Sequence, residues 1–165
     1  MVGNVPTYVL ERTFDAPREL VWKGWTDPEL LPRWYGPGVE TSIHRLELKP
    51  GGLWLVEMQW GGISQYQRVE YTEVSAPQRL VWLHSSADAD WHVIDNPMMP
   101  GWPRVLLTTV MFEQEGAVTK LRLTWVPHEA SDAEIACFAN ALPGMDKGWG
   151  AGMELLAELL AELQG

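Results

Sequence analysis

The sequence has little of what several protein classes require. Its 165 residues include one cysteine, Cys137, which excludes an internal disulfide and a cysteine-rich zinc site and agrees with a reducing compartment. No apolar run approaches the roughly 18–20 residues that span a bilayer. Residues 1–6 lack the basic-then-apolar pattern of a signal peptide. We therefore expect a cytoplasmic protein without a membrane span.

Positive charge is also scarce. Lysine and arginine together number 12 against 22 acidic residues, which gives a formal net charge of −10. Such a chain repels phosphate backbones, and no cluster of lysine and arginine offsets this repulsion locally. Nucleic acid is therefore excluded as an expected partner.

Catalytic and metal-binding motifs are missing as well. The sequence contains no G-x-S-x-G, P-loop or H-E-x-x-H pattern. The glycines of residues 148–152 lie within a helical pattern, so they are not a dinucleotide fingerprint. His84 and His92 fit no zinc-ligand spacing, and we interpret the nearby Asp88 and Asp90 as solvated. We predict no catalytic residue, no metal site and no cofactor.

Apolar and aromatic residues are abundant. The chain is 46% hydrophobic and has ten tryptophans, and a chain of this length buries roughly 70% of its unfolded surface in one core. With no linker or repeat, we expect a single domain over residues 1–165. Because tryptophan joins a large apolar surface to one N–H donor, ten of them suit a thick core or the wall of a pocket.

The first part of the chain predicts a strand followed by two short helices. Residues 7–14 are rich in β-branched and aromatic side chains, as strands are. Asp15 is placed to cap a helix with Pro17 in its first turn. The pair Asp27 and Pro28 predicts a second short helix that ends near Trp34.

From residue 41 to residue 125 the apolar pattern has a period of two, as in antiparallel strands with one buried face. The clearest inward face is Trp54, Val56, Met58 and Trp60. Short glycine or proline turns separate most of these strands and favour a meander. The longer polar stretch of residues 85–103 is predicted to be a lid or the rim of a pocket.

The last segment predicts a long helix. Ser131 and Glu134 form a capping-box signature, and one apolar stripe continues to residue 163. Pro143 predicts a kink or a junction between two helices. Gly144, Gly148 and Gly152 share one side of the helix; they indicate either close approach to the sheet or open space for a ligand.

Two histidines are in phase with inward strand residues. His44 alternates with Leu46 and Leu48, and His84 with Leu80 and Trp82, so both are predicted to point toward the core or a cavity. The simpler interpretation is a half-buried histidine bonded to backbone or water. The alternative is a polar group of the cavity. Cys137 is interpreted as a packed, inert thiol.

Five phrases in this order resemble the START-like (SRPBCC) superfamily, and within it the homologues of the activator of the ninety-kilodalton heat-shock chaperone's ATPase. They are ERTFDAPRELVWKGWTDPELLPRWYGP, LELKPGGLW, APQRLVW, LLTTVMFEQEG and GMDKGWGAGMELLAELL, at residues 11–37, 46–54, 76–82, 106–116 and 144–160. The resemblance implies an α+β helix-grip fold, with a curved antiparallel sheet around a long C-terminal helix and a cavity between them. This sequence departs from the family at Tyr35, where a second tryptophan is usual, and at Pro143 and Gly150, which make the helix less regular.

The leading functional hypothesis is binding of a small hydrophobic or amphipathic molecule in that cavity. The residues predicted to bind it are Trp60, His84, Met98, Trp102, Met145 and Trp149. One alternative is a polyketide cyclase or hydratase-like enzyme, with His44 or His84 as base and Tyr35 or Tyr66 as donor. Another is a chaperone-binding module; the resemblance implies that a separate N-terminal domain makes much of that contact in the eukaryotic co-chaperone, and we expect no room for one in these 165 residues. A homodimer is compatible with the sequence.

Overall fold

The computed structural model describes residues 5–36 and 38–165. The predicted absence of a signal peptide concerns residues that lie partly outside this range. The strands are β1 Tyr8–Phe14, β2 Glu40–Leu46, β3 Leu53–Trp60, β4 Ile63–Ser75, β5 Arg79–Ala87, β6 Val93–Ile94, β7 Leu106–Glu115 and β8 Val118–Pro127. The α-helices are α1 Arg18–Thr26, α2 Asp132–Ala141 and α3 Met145–Gln164, and short 3-10 turns occupy Leu31–Arg33 and Leu142–Gly144.

All the strands join in one antiparallel sheet. Its order is β1-β8-β7-β5-β4-β3-β2, with the two-residue β6 paired to β5 outside this path. The glycine pair Gly61 and Gly62 turns β3 into β4 with both residues at positive φ, which is the conformation that tight hairpins favour. Gly116, also at positive φ, lies in the turn from β7 to β8. The predicted meander is thus confirmed, and β1 closes it by pairing with β8.

The two short helices after β1 have different lengths. The helix α1 has nine residues, whereas the second is the single 3-10 turn Leu31–Arg33. Asp15 does not cap α1, because the N-cap residue is Pro17, which makes no side-chain bond. Instead, Gln114 of β7 accepts a hydrogen bond of 2.7 Å from the backbone N–H of Arg18.

The long C-terminal helix is interrupted once. Ser131 and Glu134 form the predicted capping box at the start of α2. Pro143 lies in the 3-10 turn between α2 and α3, because proline cannot donate the backbone hydrogen bond that a continuous helix needs. The prediction of a junction at Pro143 is therefore confirmed. None of the helices in the described ranges has the length and apolarity needed to cross a bilayer.

The core lies between the inner face of the sheet and the helices α1 and α3. Trp25 of α1 is at its centre and is 1% exposed. Its ring centroid lies 4.6 Å from that of Trp34, 6.1 Å from that of Trp82 and 6.3 Å from that of Trp149. From α3 the core receives Met153, Leu156, Leu159 and Leu160. This arrangement, a sheet around the C-terminal helix, confirms the helix-grip fold.

One strand departs from the predicted alternation. The register between β2 and β3 shifts between Ile43 and Arg45, so His44 occupies a bulge. A bulge adds one residue and changes the face on which a side chain lies. Ile43 and Leu46 both pack against the core, while His44 is exposed and bonds to Glu57 at 2.8 Å. The prediction that His44 points inward is therefore wrong.

Candidate functional site

A cavity of about 310 Å³ lies between the sheet and the first half of α3. This volume is at the lower end of the range that small-molecule sites occupy, roughly 300–1,000 Å³. The sheet, the segment after α1 and the helix α3 all contribute to its wall. The lining residues are Trp34, Tyr35, Gly36, Met58, Gln67, His84, Trp125, Gly144, Met145, Gly148, Trp149 and Gly152.

Three tryptophans make most of the cavity wall apolar, and Trp149 of α3 is central among them. One face of its ring is stacked on Trp25 of the core, with an interplanar angle of 16°. Trp125 of β8 meets it at 89°, with the ring centroids 5.5 Å apart. Because the core fixes Trp149 on one side, its ring presents a rigid aromatic surface to the cavity.

A polar group forms one part of the wall, where two neighbouring segments meet. Tyr35 follows the 3-10 turn Leu31–Arg33, and its phenol O–H donates to Oε1 of Gln67 on β4 at 2.9 Å. Tyr35 is 8% exposed, and burial raises the pKa of its phenol above the ordinary value. Tyr35 is therefore a neutral hydrogen-bonding group at any physiological pH.

His84 of β5 lies on the same wall as Gln67. It is 8% exposed, and no hydrogen bond to its ring occurs among the described residues. Its nearest aromatic neighbour is Trp125, with the ring centroids 5.6 Å apart and the planes at 79°. Burial lowers the pKa of His84 from 6.5 to about 4, because desolvation penalises the imidazolium. At neutral pH the ring is uncharged, with one nitrogen as donor and the other as acceptor.

Gly144, just before α3, and Gly148 within it leave room beside the helix. A Cβ atom built on Gly144 or Gly148 would meet no atom within 4 Å. Both glycines line the cavity. For these two glycines, of the two explanations that the sequence left open, the structure favours open space over close approach to the sheet.

A second, smaller cavity of about 150 Å³ adjoins the first. The two share Gln67, His84 and Trp125 as lining residues. The smaller one is closed by the segment between β6 and β7, through Asn96, Met99, Trp102 and Pro103. The polar stretch 85–103 therefore contributes a wall next to the main cavity, in keeping with the predicted pocket rim.

Comparison with models of known protein families identifies the family to which this fold belongs. Residues 15–161 match the model of the family described as "Activator of Hsp90 ATPase homolog 1-like protein". The chain belongs to this family. The match covers the strands β2–β8 and nearly all of the helices that enclose the cavity, and it begins one residue after β1 ends. No curated protein is similar to the chain at a significant level.

Several solved structures are similar to this chain over nearly its whole length. Protein NE0264 from Nitrosomonas europaea is 26% identical, with 99% of each chain covered and a TM-score of 0.74. A protein from Arthrobacter aurescens is 23% identical, with 96% of this chain and 87% of that chain covered and a TM-score of 0.79. Protein Ms6760 from Mycobacterium smegmatis is 22% identical over 94% and 91% of the two chains, with a TM-score of 0.76. The last two support the fold alone.

Of the six residues predicted to bind a ligand, four line one of the two cavities and two do not. His84, Met145 and Trp149 line the main cavity, and Trp102 lines the smaller one. Trp60 lies outside both, because it is the last residue of β3 before the glycine turn. Met98 is 59% exposed in the loop after β6, so it does not reach either cavity.

Sequence reasoning missed several lining residues. Gln67 was detectable, since it alternates with the buried Val69 and Tyr71 on β4 and a polar residue on such a face is a signal for a site. Met58 and Trp125 belong to inward faces that the alternation predicted, but nothing in the sequence showed which members of these faces reach the cavity. The position of Trp34 depends on the geometry of its 3-10 turn, which the sequence does not specify.

Other polar clusters lie on the outer face of the sheet, away from the cavity. Glu57 accepts hydrogen bonds of 2.8 Å from Ser64 and from His44, and these hold the pKa of its carboxyl below the ordinary value. Trp91 covers both His44 and Tyr66, with ring centroids 5.3 Å away in each case. Nearby, Asp88, Asp90 and His92 bring potential ligand atoms within 4.8 Å of one another. The backbone N–H groups of Asp90 and His92 both donate to Oδ1 of Asp88, so a turn-stabilising role accounts for this group.

Proposed function

We propose that this protein binds a small hydrophobic or amphipathic molecule in the cavity between the sheet and α3. The observation that carries the proposal is the cavity of about 310 Å³, lined by tryptophan, methionine and a histidine that makes no hydrogen bond to any described residue. Pockets of this kind, mostly apolar with a few convergent polar groups, are the usual form of small-molecule sites.

The open space at Gly148, which lines the cavity, fits the proposal. A glycine within a helix costs roughly 0.5–1 kcal/mol relative to alanine. At Gly148 this cost is not explained by packing, because a Cβ atom would meet nothing within 4 Å. Room for a ligand is a reason for the helix to carry glycine there.

The enzyme alternative receives less support from the geometry. His44 and Tyr66 lie on the outer face of the sheet, so they do not reach a molecule in the cavity. His84 is inside, but a pKa of about 4 makes it a weak base at neutral pH, whereas an effective general base has a pKa near the working pH. No observation favours the chaperone-binding alternative over binding in the cavity.

The test uses the methionine methyl groups as local reporters. Met58 and Met145 line the cavity, whereas Met98 and Met99 are exposed elsewhere. Protein labelled at the methionine methyls is titrated with 2-naphthol, 1-octanol, 2-naphthoate and octanoate and followed by NMR. We expect saturable shifts at Met58 and Met145, and none at Met98, with at least one probe.

The matched variants are Gly148→Leu and Gly150→Leu. Both add the same side chain to α3 where a Cβ atom meets nothing within 4 Å, but Gly148 lines the cavity and Gly150 does not. Gly148→Leu should abolish the shifts at Met58 and Met145, and Gly150→Leu should preserve them. If both folded variants bound the probes as the parent protein does, the cavity would not be the site.

A further inference from the structure

The charge of the cavity wall restricts the ligand further. Among the residues that line the main cavity there is no lysine, arginine, aspartate or glutamate, and the titratable groups present are Tyr35 and His84. An ion placed there would lose part of its hydration without gaining a partner of opposite charge, which is unfavourable. The net charge of −10 opposes the entry of an anion as well.

The polar part of the wall offers both donors and acceptors. The O–H of Tyr35 is used by Oε1 of Gln67, which leaves the Tyr35 oxygen free to accept and the Gln67 N–H groups free to donate. His84 has no hydrogen-bond partner among the described residues and adds one donor and one acceptor in its neutral form. A hydroxyl group, which also donates and accepts, satisfies this combination, whereas a carboxylate only accepts.

We infer that the ligand is uncharged, with a flat apolar body against Trp125 and Trp149 and a hydroxyl-like group hydrogen-bonded to His84 at the end formed by Tyr35 and Gln67. This inference rests on the proposed function, since it specifies the ligand class of the same cavity. It assigns His84 a role in ligand selection.

The inference is supported by the protonation state of His84. Burial holds the pKa of this ring at about 4, so His84 supplies no positive charge that would attract a carboxylate at neutral pH. His84 lines the cavity, so its donor and acceptor nitrogens are within reach of a ligand there. A ligand hydroxyl can pair with either one.

The experiment compares probes that share a body and differ in the polar group. The affinities of 2-naphthol, 2-naphthoate and naphthalene are measured by calorimetry at neutral pH, with the Met58 and Met145 methyl shifts showing where each binds; octanol and octanoate form a second pair. We expect each alcohol to bind about tenfold or more tightly than its carboxylate, a difference equivalent to about 1.4 kcal/mol.

The variant His84→Phe separates a hydrogen bond from a packing role. Phenylalanine keeps a ring at this position but has no nitrogen, so the affinity for 2-naphthol should fall by roughly tenfold, while naphthalene should bind as before. An equal loss for both probes would show that His84 only shapes the cavity and would overturn its role in selection.

The remaining outcomes distinguish this inference from the proposed function. If 2-naphthoate bound as tightly as 2-naphthol, and Gly148→Leu abolished both, the cavity would be a binding site but the restriction to uncharged ligands would be overturned. If no probe of either pair moved Met58 or Met145, the proposed function would fail and this inference with it.

Discussion

His84 differs from the other three histidines in its surroundings. The side chains of His44, His92 and His128 are 46%, 77% and 36% exposed, whereas His84 is 8% exposed on the cavity wall. Its ring is held in place by the strand and by Trp125 rather than by a hydrogen bond. Because burial lowers the pKa of His84, the stability of the fold depends on pH through this residue.

We predict that His84 destabilises the fold as the pH falls below neutral. Its pKa is 6.5 when exposed and about 4 in the folded protein, so between these values the unfolded chain binds a proton that the folded chain does not. The free energy of unfolding must then decrease as the pH falls through this window. The full decrease from this residue is of order 3 kcal/mol, and it vanishes above the unfolded pKa.

The measurement is urea denaturation of the parent protein and of His84→Phe between neutral pH and about pH 5. The parent should lose stability more steeply than the variant, because the variant has no proton to bind at this position. His92→Gln is the control for replacing a largely exposed histidine, and its slope gives the change that such a replacement makes outside the cavity. Parallel slopes for the parent and His84→Phe would refute the prediction.

At the scale of elements, the start of α2 connects the helix to the loop before β7. Glu134 completes the capping box by accepting from the N–H of Ser131 at 2.9 Å. Its second oxygen accepts from the backbone N–H of Arg104 at 2.7 Å. This one carboxylate therefore fixes both the helix and the end of the segment that closes the smaller cavity.

We predict that Glu134→Ala destabilises the protein more than Ser131→Ala does. Removing the Ser131 hydroxyl should lower the free energy of unfolding by about 1 kcal/mol. Removing the Glu134 carboxylate breaks two hydrogen bonds to backbone donors, whereas removing the Ser131 hydroxyl breaks one, so the loss should be larger. Urea denaturation compares them, with Glu158→Ala on α3 as the control for replacing an exposed acid. Equal losses would contradict the prediction.

Two helical glycines should respond to alanine with opposite signs. In Gly150→Ala the new methyl group meets nothing within 4 Å, so the variant should gain about 0.5–1 kcal/mol of stability from the backbone. In Gly24→Ala it would lie 2.9 Å from Cδ1 of Leu156, where α1 and α3 approach each other. We expect this variant to be destabilised. Thermal unfolding measures both changes, and a stabilised Gly24→Ala would show that the Leu156 side chain moves aside at little cost.

The elements also show where sequence reasoning succeeds. Trp54 and Val56, predicted to face inward, are both 1% exposed, because alternation holds wherever a strand keeps its register. The prediction from alternation failed at His44, because a β-bulge changes the register there and no feature of the sequence indicates the bulge. The stripe of α3 and the role of Pro143 were predictable from helical periodicity. The cavity was not, since its volume depends on how far several large side chains extend, which periodicity does not specify.

For the molecule as a whole, the aromatic residues divide the space between the sheet and the C-terminal helices. Trp25, Trp54 and Trp82 fill one part so closely that each is 1% exposed. The other part is spanned by Trp125 and Trp149, and the glycines of α3 leave it open. The same residue type therefore supplies both the stability of the core and the wall of the cavity.

The charge of the whole protein gives the last prediction. With a net charge of −10, the folded chain repels itself, and this repulsion is weaker when the Debye length falls from about 30 Å to about 8 Å between roughly 0.01 M and 0.15 M ionic strength. The free energy of unfolding should therefore rise with sodium chloride over this range.

The affinity for 2-naphthol should stay constant over the same range, because an uncharged molecule feels no net repulsion. Calorimetry at both ionic strengths measures it, and 2-naphthoate is the control probe. Any residual binding of that anion should tighten with salt, since screening weakens its repulsion by the acidic surface. A 2-naphthol affinity that changed with salt as much as that of 2-naphthoate would mean that the probe does not bind in its neutral form, against the ligand class inferred from the cavity wall.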